Sequence, residues 1–457
     1  MIKEVKCRKD RYIKKVKEGA KKTQAFFKKH HLGILYGAGI AYKFLLDLLY
    51  AFVASPAFSY AGLVYDPNII KYALSLALYV CLFVALPKSE KSCAAVLLHI
   101  QHVYTVAPLL SFYALSNAST TYILMVFVCV LLESLIVRRA AGKQKAVYLK
   151  GMKNYTTVAI GALILVTLII PIVYNGFAGI KVFDFNYIYE MRENATYPIG
   201  FTYLFFWMGK AIVPFAIVLL LHKKRYVGAA LMGLVQLLLY MESGNKYLLF
   251  IMVPLLAVYF CAKFGHLIKL IYLGLGALCI SLIPIYHLSS AGGDVLGIKA
   301  CFYIAVRSLF HPADNKYAMY ECFSQYPKMF YSDGVIGKMF GLTGLYGGSD
   351  GQVVYAFNGG TFLEANYNTG YLGESYANLG FFGMLLMAVL FALILRVVDS
   401  YNNKKTFCVL SAVFATFIIN LNDISLLTTL LSSGMIVVIV LLSIYFDKNE
   451  EDLSRGI

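Results

Sequence analysis

The apolar residues of this 457-residue chain come in unbroken blocks of roughly 17–25, the length a helix needs to cross the hydrocarbon core of a bilayer. In lipid, only helices and closed barrels satisfy their own backbone. Barrel strands alternate apolar and polar residues, and runs such as 160–172 and 384–395 do not. The expected fold class is an all-α integral membrane protein, a polytopic bundle of about 12 transmembrane helices with a large, partly helical outer loop. Spans are expected at 32–54, 69–86, 93–115, 119–137, 156–174, 198–221, 226–241, 246–262, 267–288, 371–395, 406–420 and 426–446. Those at 226–241 and 406–420 are short for a bilayer.

Charge gives the spans a direction. The chain carries 41 Lys and Arg against 24 Asp and Glu, a net +17, yet only 14% of its residues are charged. Counted along alternate loops, 30 basic residues fall on the side of the N-terminus, 12 of them in the first 31 residues, 8 fall opposite, and Lys43, Lys71 and Lys210 fall within spans. This is the positive-inside pattern. It predicts cytoplasmic termini, and it assigns the basic charge to topology and anionic lipid. Nucleic acid is not an expected partner. The expected organisation is a basic cytoplasmic segment (1–31), nine spans (32–288), an extracytoplasmic loop (289–370), three spans (371–446) and a cytoplasmic tail (447–457). The N-terminal segment fits an amphipathic helix on the inner surface or a basic tail.

Several polar residues stand out. Residues 298–309 read as a helix with Ile298, Cys301, Phe302, Ala305 and Leu309 on one face and Arg307 opposite, flanked by Lys299 and Tyr303. Such a helix can lie on the membrane. Arg307 then points into a cavity, where its planar fork of donors suits phosphate, or into solvent. Arg192, in Tyr189-Glu190-Met191-Arg192-Glu193, either pairs with a neighbouring Glu or faces the same cavity. Ser243-Gly244-Asn245-Lys246 opens a span; Lys246 snorkels or helps hold an anion. The stretch 358–383 contains Asn366, and Tyr367, Tyr371, Glu374 and Asn378 at the spacing of one helical stripe. Gly373, Ala377 and Gly380 form a small-residue stripe for close packing. Glu374, entering the membrane, is a functional candidate or an ion-pair partner that fixes the loop.

Other groups read as structural. Lys43 and Asp47 should neutralise each other, His99 and His102 should be polar packing, and Asp423 should be a turn former. Cys301 and Cys322 share the outer loop and are expected as free thiols. No metal-ligand spacing and no nucleotide-binding loop is present in the sequence, and no metal or cofactor is expected.

Four segments together resemble the bacterial oligosaccharide repeat-unit polymerases, the Wzy-type family of O-antigen and capsular polysaccharide synthesis. They are Ile188-Tyr189-Glu190-Met191-Arg192; Glu242-Ser243-Gly244-Asn245-Lys246; Val306-Arg307-Ser308-Leu309-Phe310-His311-Pro312; and Gly373-Glu374-Ser375-Tyr376-Ala377-Asn378-Leu379-Gly380-Phe381-Phe382-Gly383. The resemblance covers most of the chain after about residue 150. Lys246 departs from it, since relatives often carry Arg there. The resemblance implies a membrane glycosyltransferase acting on a polyprenyl-pyrophosphate-linked oligosaccharide. The growing glycan moves to the non-reducing end of a new lipid-linked unit. It implies Arg307 and Arg192 on the pyrophosphate and Glu374 as base or arginine-orienting residue. It also implies substrate contacts from Lys246, Tyr303, Asn366, Tyr367, Tyr371 and Asn378. The lipid bilayer, a flippase and a chain-length regulator are the expected partners. An O-antigen ligase-like transferase and a polysaccharide flippase or transporter are the rival readings; a transporter should carry charges deep within several spans.

Overall fold

The structure, a computed structural model, describes residues 31–139, 145–176, 196–198, 200–333, 337 and 340–446. Among these there is no strand. Ten helices are long and apolar enough to cross a membrane: α1 (Leu32–Ala61), α3 (Cys93–Leu115), α4 (Thr120–Arg139), α5 (Lys153–Asn175), α6 (Phe201–His222), α7 (Tyr226–Ser243), α8 (Lys246–Phe264), α9 (Leu267–Gly292), α13 (Gly370–Ser400) and α15 (Leu426–Tyr445). Two apolar helices are shorter, α2 (Ile69–Ala85) and α14 (Phe407–Asn420). Between α9 and α13 lie α10 (Val295–Cys301), the π-turn stretch Phe302–Phe310, α11 (His311–Gln325) and α12 (Asp350–Phe357). The chain is thus a polytopic all-α membrane protein, as expected. The basic N-terminal segment and the tail lie outside the described residues.

The tight turns follow from local chemistry. Asn68 and Ser92 accept the first free amides of α2 and α3, orphan donors that every helix start leaves. Between α7 and α8, Gly244 takes the left-handed conformation (φ 59°) and the Asn245 side chain caps the Tyr247 amide. Ser-Gly-Asn-Lys therefore works here as a cap pair.

Helix α3 is the centre of the bundle; every residue from Cys93 to Leu115 is buried except Tyr104. Helix α5 is the opposite case, with only Thr167 and Pro171 buried. Several polar groups inside the spans are satisfied by one another, as hydrocarbon favours. Lys43 bonds Asp47 at 2.5 Å, and Ser111 and Tyr72 complete that cluster. His99 meets the Tyr272 hydroxyl and the Pro87 carbonyl, and His102 packs against Tyr79 and Phe83. Cys301 and Cys322 are free thiols.

Two expectations are corrected. First, the 298–309 segment packs against other helices, and its buried face is not the one a regular helix gives. From Phe302 it winds in wider π turns, which bond i to i+5. Its buried residues become Cys301, Ala305, Val306, Leu309 and Phe310, at spacings of four and five. Phe310 packs on Tyr50 (ring centroids 5.0 Å) and Phe302 on Phe58 (5.3 Å). Helix α11 then enters the bundle, where Tyr317 wedges between Phe112 and Tyr122. The segment between α9 and α13 is therefore partly a plug.

Second, the expected span 371–395 is not one continuous rod. Gly380 sits at φ 63°, ψ −150°, outside helical space. The Tyr371 and Phe391 rings lie 5.5 Å apart, where an unbroken helix would separate them by about 30 Å. A Cβ on Gly383 would meet the Ser375 carbonyl oxygen at 2.4 Å. Residues 370–379 are thus a half-helix folded back along 381–400. The carbonyls of its last turn, left without helical donors, accept from Met329 (to Ala377, 3.0 Å) and Phe330 (to Asn378, 3.1 Å). Tyr371, at the start of the half-helix, bonds Glu133 inside α4 (2.8 Å) and also meets Gln101 inside α3. The half-helix therefore begins within the bundle and climbs to its tip at Gly380. Tyr367 precedes the helix, so the stripe read through Tyr367, Tyr371, Glu374 and Asn378 is broken at its first member.

Candidate functional site

Helix α14 has 14 residues and so rises only about 21 Å, short of a hydrocarbon core about 30 Å thick. The turn that follows it, 421–425, is consequently held inside the bundle, and the candidate site is built around it. Lys316, fully buried on α11, donates to the Asn422 carbonyl (2.5 Å) and to its side-chain oxygen (3.0 Å). The Asn422 amide donates to the Ser308 carbonyl at 3.2 Å. The Tyr371 amide donates to Leu421 at 3.2 Å. The turn is pinned from three sides: by α11, by the π-turn stretch and by the half-helix.

Two charge groups flank it. On one side Asp423 faces Arg307 and Lys316. Burial raises the Asp423 carboxyl above its ordinary value, and the two cations oppose that shift. Burial likewise pulls the Lys316 ammonium down to about 7. Arg307 is half-buried, and among the described residues it makes no hydrogen bond or ion pair. On the other side Ser425 is within hydrogen-bonding reach of Glu374, and Glu374 faces a second carboxylate, Asp350. Asp350 opens α12 beside the Thr369 hydroxyl.

These elements converge on Tyr104, the one residue of α3 that is only partly buried. Around Tyr104 stand Ser308, Arg307 and Asp423, and Tyr247 stands beside Tyr104 and Asp423. The Lys210 ammonium lies 5.1 Å from the Tyr247 ring and 4.7 Å from the Phe206 ring. Lys246 lies 5.8 Å from the ring of Tyr303, on the same π-turn stretch as Arg307.

The residues singled out in sequence divide accordingly. Arg307, Tyr303 and Lys246 come together, and Glu374 approaches the same turn from the half-helix. Asn366 and Tyr367 stand against α12: the Ser349 hydroxyl bonds Asn366 at 2.6 Å, and the Tyr367 amide bonds Gly351 at 3.1 Å. Tyr371 is 1% exposed with its hydroxyl committed to Glu133 and Gln101. Asn378 is turned to the backbone, bonding Glu374 (2.9 Å) and Tyr331 (2.7 Å). Both therefore hold the hairpin in place. Arg192 lies outside the described residues. Sequence reasoning passed over Asp350, Lys316, Tyr104 and Tyr247 as site residues, and it read Asp423 as a turn former.

Asp350 gives a pH signature. Burial raises its carboxyl from the ordinary 3.8 to about 6. Folding therefore favours the protonated form, so its contribution to stability is full below about pH 4 and is lost as pH rises through about 6. Asp350→Asn removes that loss. The variant should melt higher than the wild type at pH 7.5 and equal it near pH 4; an equal gain at both values would exclude the linkage.

Compared with family models, with curated proteins and with solved structures, the chain matches none.

Proposed function

We propose that the chain is a polymerase of lipid-linked oligosaccharide repeat units. In this reading the plug between α9 and α13 lies at the outer face of a bacterial cytoplasmic membrane and both termini are cytoplasmic. The growing glycan leaves its polyprenyl pyrophosphate and joins the non-reducing end of a new lipid-linked unit. The observation that carries the proposal is Arg307, a half-buried guanidinium with no hydrogen bond or ion pair among the described residues, near Tyr104 and Asp423, with Lys246 beside Tyr303 on the same stretch. A half-buried cation with no hydrogen-bonded or ion-paired partner suits an anionic ligand, and a departing pyrophosphate needs charge stabilisation where charge develops. The aromatic rings of Tyr104, Tyr247 and Tyr303 suit sugar faces beside it. Glu374, with Asp350 and Ser425, would hold the turn that carries the site.

Buried charges inside spans would also suit a transporter. Here Lys43 and Asp47 neutralise each other, and Glu133 is bonded to Gln101 and Tyr371. These groups support the fold where they stand.

The test is elongation by the full chain in lipid nanodiscs, given repeat units on polyprenyl pyrophosphate and no other acceptor. A ladder of products one repeat apart is expected. Transfer that begins only when a separate lipid acceptor is added would replace the polymerase reading with a ligase.

A further inference from the structure

A glycosyl transfer to a hydroxyl needs a group that removes the acceptor proton. Glu374 is poorly suited to that task. Its carboxylate is engaged toward Ser425 and faces Asp350, and two adjacent carboxylates resist sharing two charges. Asp423 differs on each count. Its Oδ1 is enclosed without a hydrogen-bond partner, and its Oδ2 is not among the enclosed atoms, which leaves that oxygen to meet a ligand. Among the described residues it forms no ion pair, although Arg307 and Lys316 both face it. Its backbone is fixed, since the Asp423 and Ile424 amides both bond the Asn420 carbonyl (3.0 and 2.9 Å). Its neighbours Tyr104 and Tyr247 are both only partly buried. A turn former has no need of a carboxylate held rigidly beside two cations with one oxygen left over.

We propose that Asp423 is the base that takes the proton from the acceptor hydroxyl, an assignment that rests on the polymerase reading above. The hydroxyl oxygen bonds to the anomeric carbon of the donor glycan. The bond from that carbon to the pyrophosphate oxygen breaks, and its electron pair leaves with the pyrophosphate. The hydroxyl proton passes to the Asp423 carboxylate and then to water. Atoms and charge balance with no further reactant. Arg307 and Lys316 favour the carboxylate form of Asp423 against its burial, and Arg307 also faces the leaving group. The titratable and charged groups around Asp423 are Arg307 on the π-turn stretch, Lys316 on α11, Tyr104 on α3 and Tyr247 on α8.

The test compares wild type, Asp423→Asn and Asp423→Glu as full chains in nanodiscs. It measures the elongation rate across pH and, separately, binding of the lipid-linked donor. The isosteric Asn should lower kcat by about 10²–10⁴-fold, the usual contribution of a general base. It should leave donor binding intact, because a negative charge beside the cations is removed, and it should abolish the acid limb of the pH profile. Glu should restore part of the rate. Elongation by Asp423→Asn at the wild-type rate would overturn the assignment. So would loss of rate and donor binding together, which marks a structural role. Should Asp423→Asn not fold, Asp423→Ala with added formate replaces it: a formate-dependent rate supports the base, and no rescue overturns it. A wild-type chain that never elongates the units would refute the polymerase reading itself, a result distinct from an active Asp423→Asn.

Discussion

Replacing Arg307 with alanine should lower kcat/KM for elongation by about 10²–10³-fold, the loss seen when one preorganised donor to a developing negative charge is removed. The melting temperature should not change. Arg307 makes no hydrogen bond or ion pair among the described residues, so the fold loses little when its head group goes. Arg307→Lys should recover only part of the rate, because an ammonium keeps the charge and loses the planar fork. The informative readout is the combination: a large kinetic loss in a protein that melts like wild type. A variant that elongates normally would remove Arg307 from the reaction.

Gly370→Ala should be the most damaging small substitution in the site. Gly370 begins the half-helix at φ 63°, where an L residue costs about 1–2 kcal/mol. A Cβ there would also stand 2.5 Å from the Asn422 carbonyl oxygen and 2.6 Å from that of Leu421. Neither oxygen can retreat freely. Lys316 holds Asn422, and the Tyr371 amide holds Leu421. Overpacking against backbone adds about 1–3 kcal/mol. The added methyl would wedge the half-helix from the turn that carries Asp423, and a shift of about 1 Å at a reacting centre can cost 10²-fold in rate. Gly161→Ala on α5, whose Cβ would meet nothing within 4 Å, is the matched control and should leave both stability and rate unchanged. Thermal melting and elongation assays on the pair check the prediction.

The spans were legible because hydrocarbon imposes one requirement, a long apolar helix, and the sequence states it repeatedly. Helices α2 to α4 begin and end within a few residues of where apolar runs do. The hairpin at Gly380 was not legible. Gly373, Ala377 and Gly380 looked like a stripe for helix packing, and nothing local distinguishes such a glycine from one that reverses the chain. Only the contact of Tyr371 with Phe391 does so. The π turns from Phe302 to Phe310 shifted the buried face by changing the period, yet Arg307 still stood off that face. The role of the 421–425 turn was readable in principle. A 14-residue helix cannot lift its turn out of the bilayer, and Asn-Leu-Asn-Asp at that depth demands partners. Those partners, Lys316 and Ser308, lie more than a hundred residues away in sequence, beyond any local pattern.

The central claim is that the cluster of Tyr104, Arg307 and Asp423 holds the pyrophosphate end of a lipid-linked glycan. Photo-crosslinking tests it most directly, with a polyprenyl pyrophosphate-linked sugar carrying a diazirine next to the pyrophosphate, added to the full chain in nanodiscs. The account predicts saturable labelling of peptides that contain Tyr104, Ser308 or Tyr247, competed by unlabelled lipid-linked unit and lost in Arg307→Ala. Labelling confined to other helices, or labelling that neither saturates nor responds to Arg307→Ala, would contradict it.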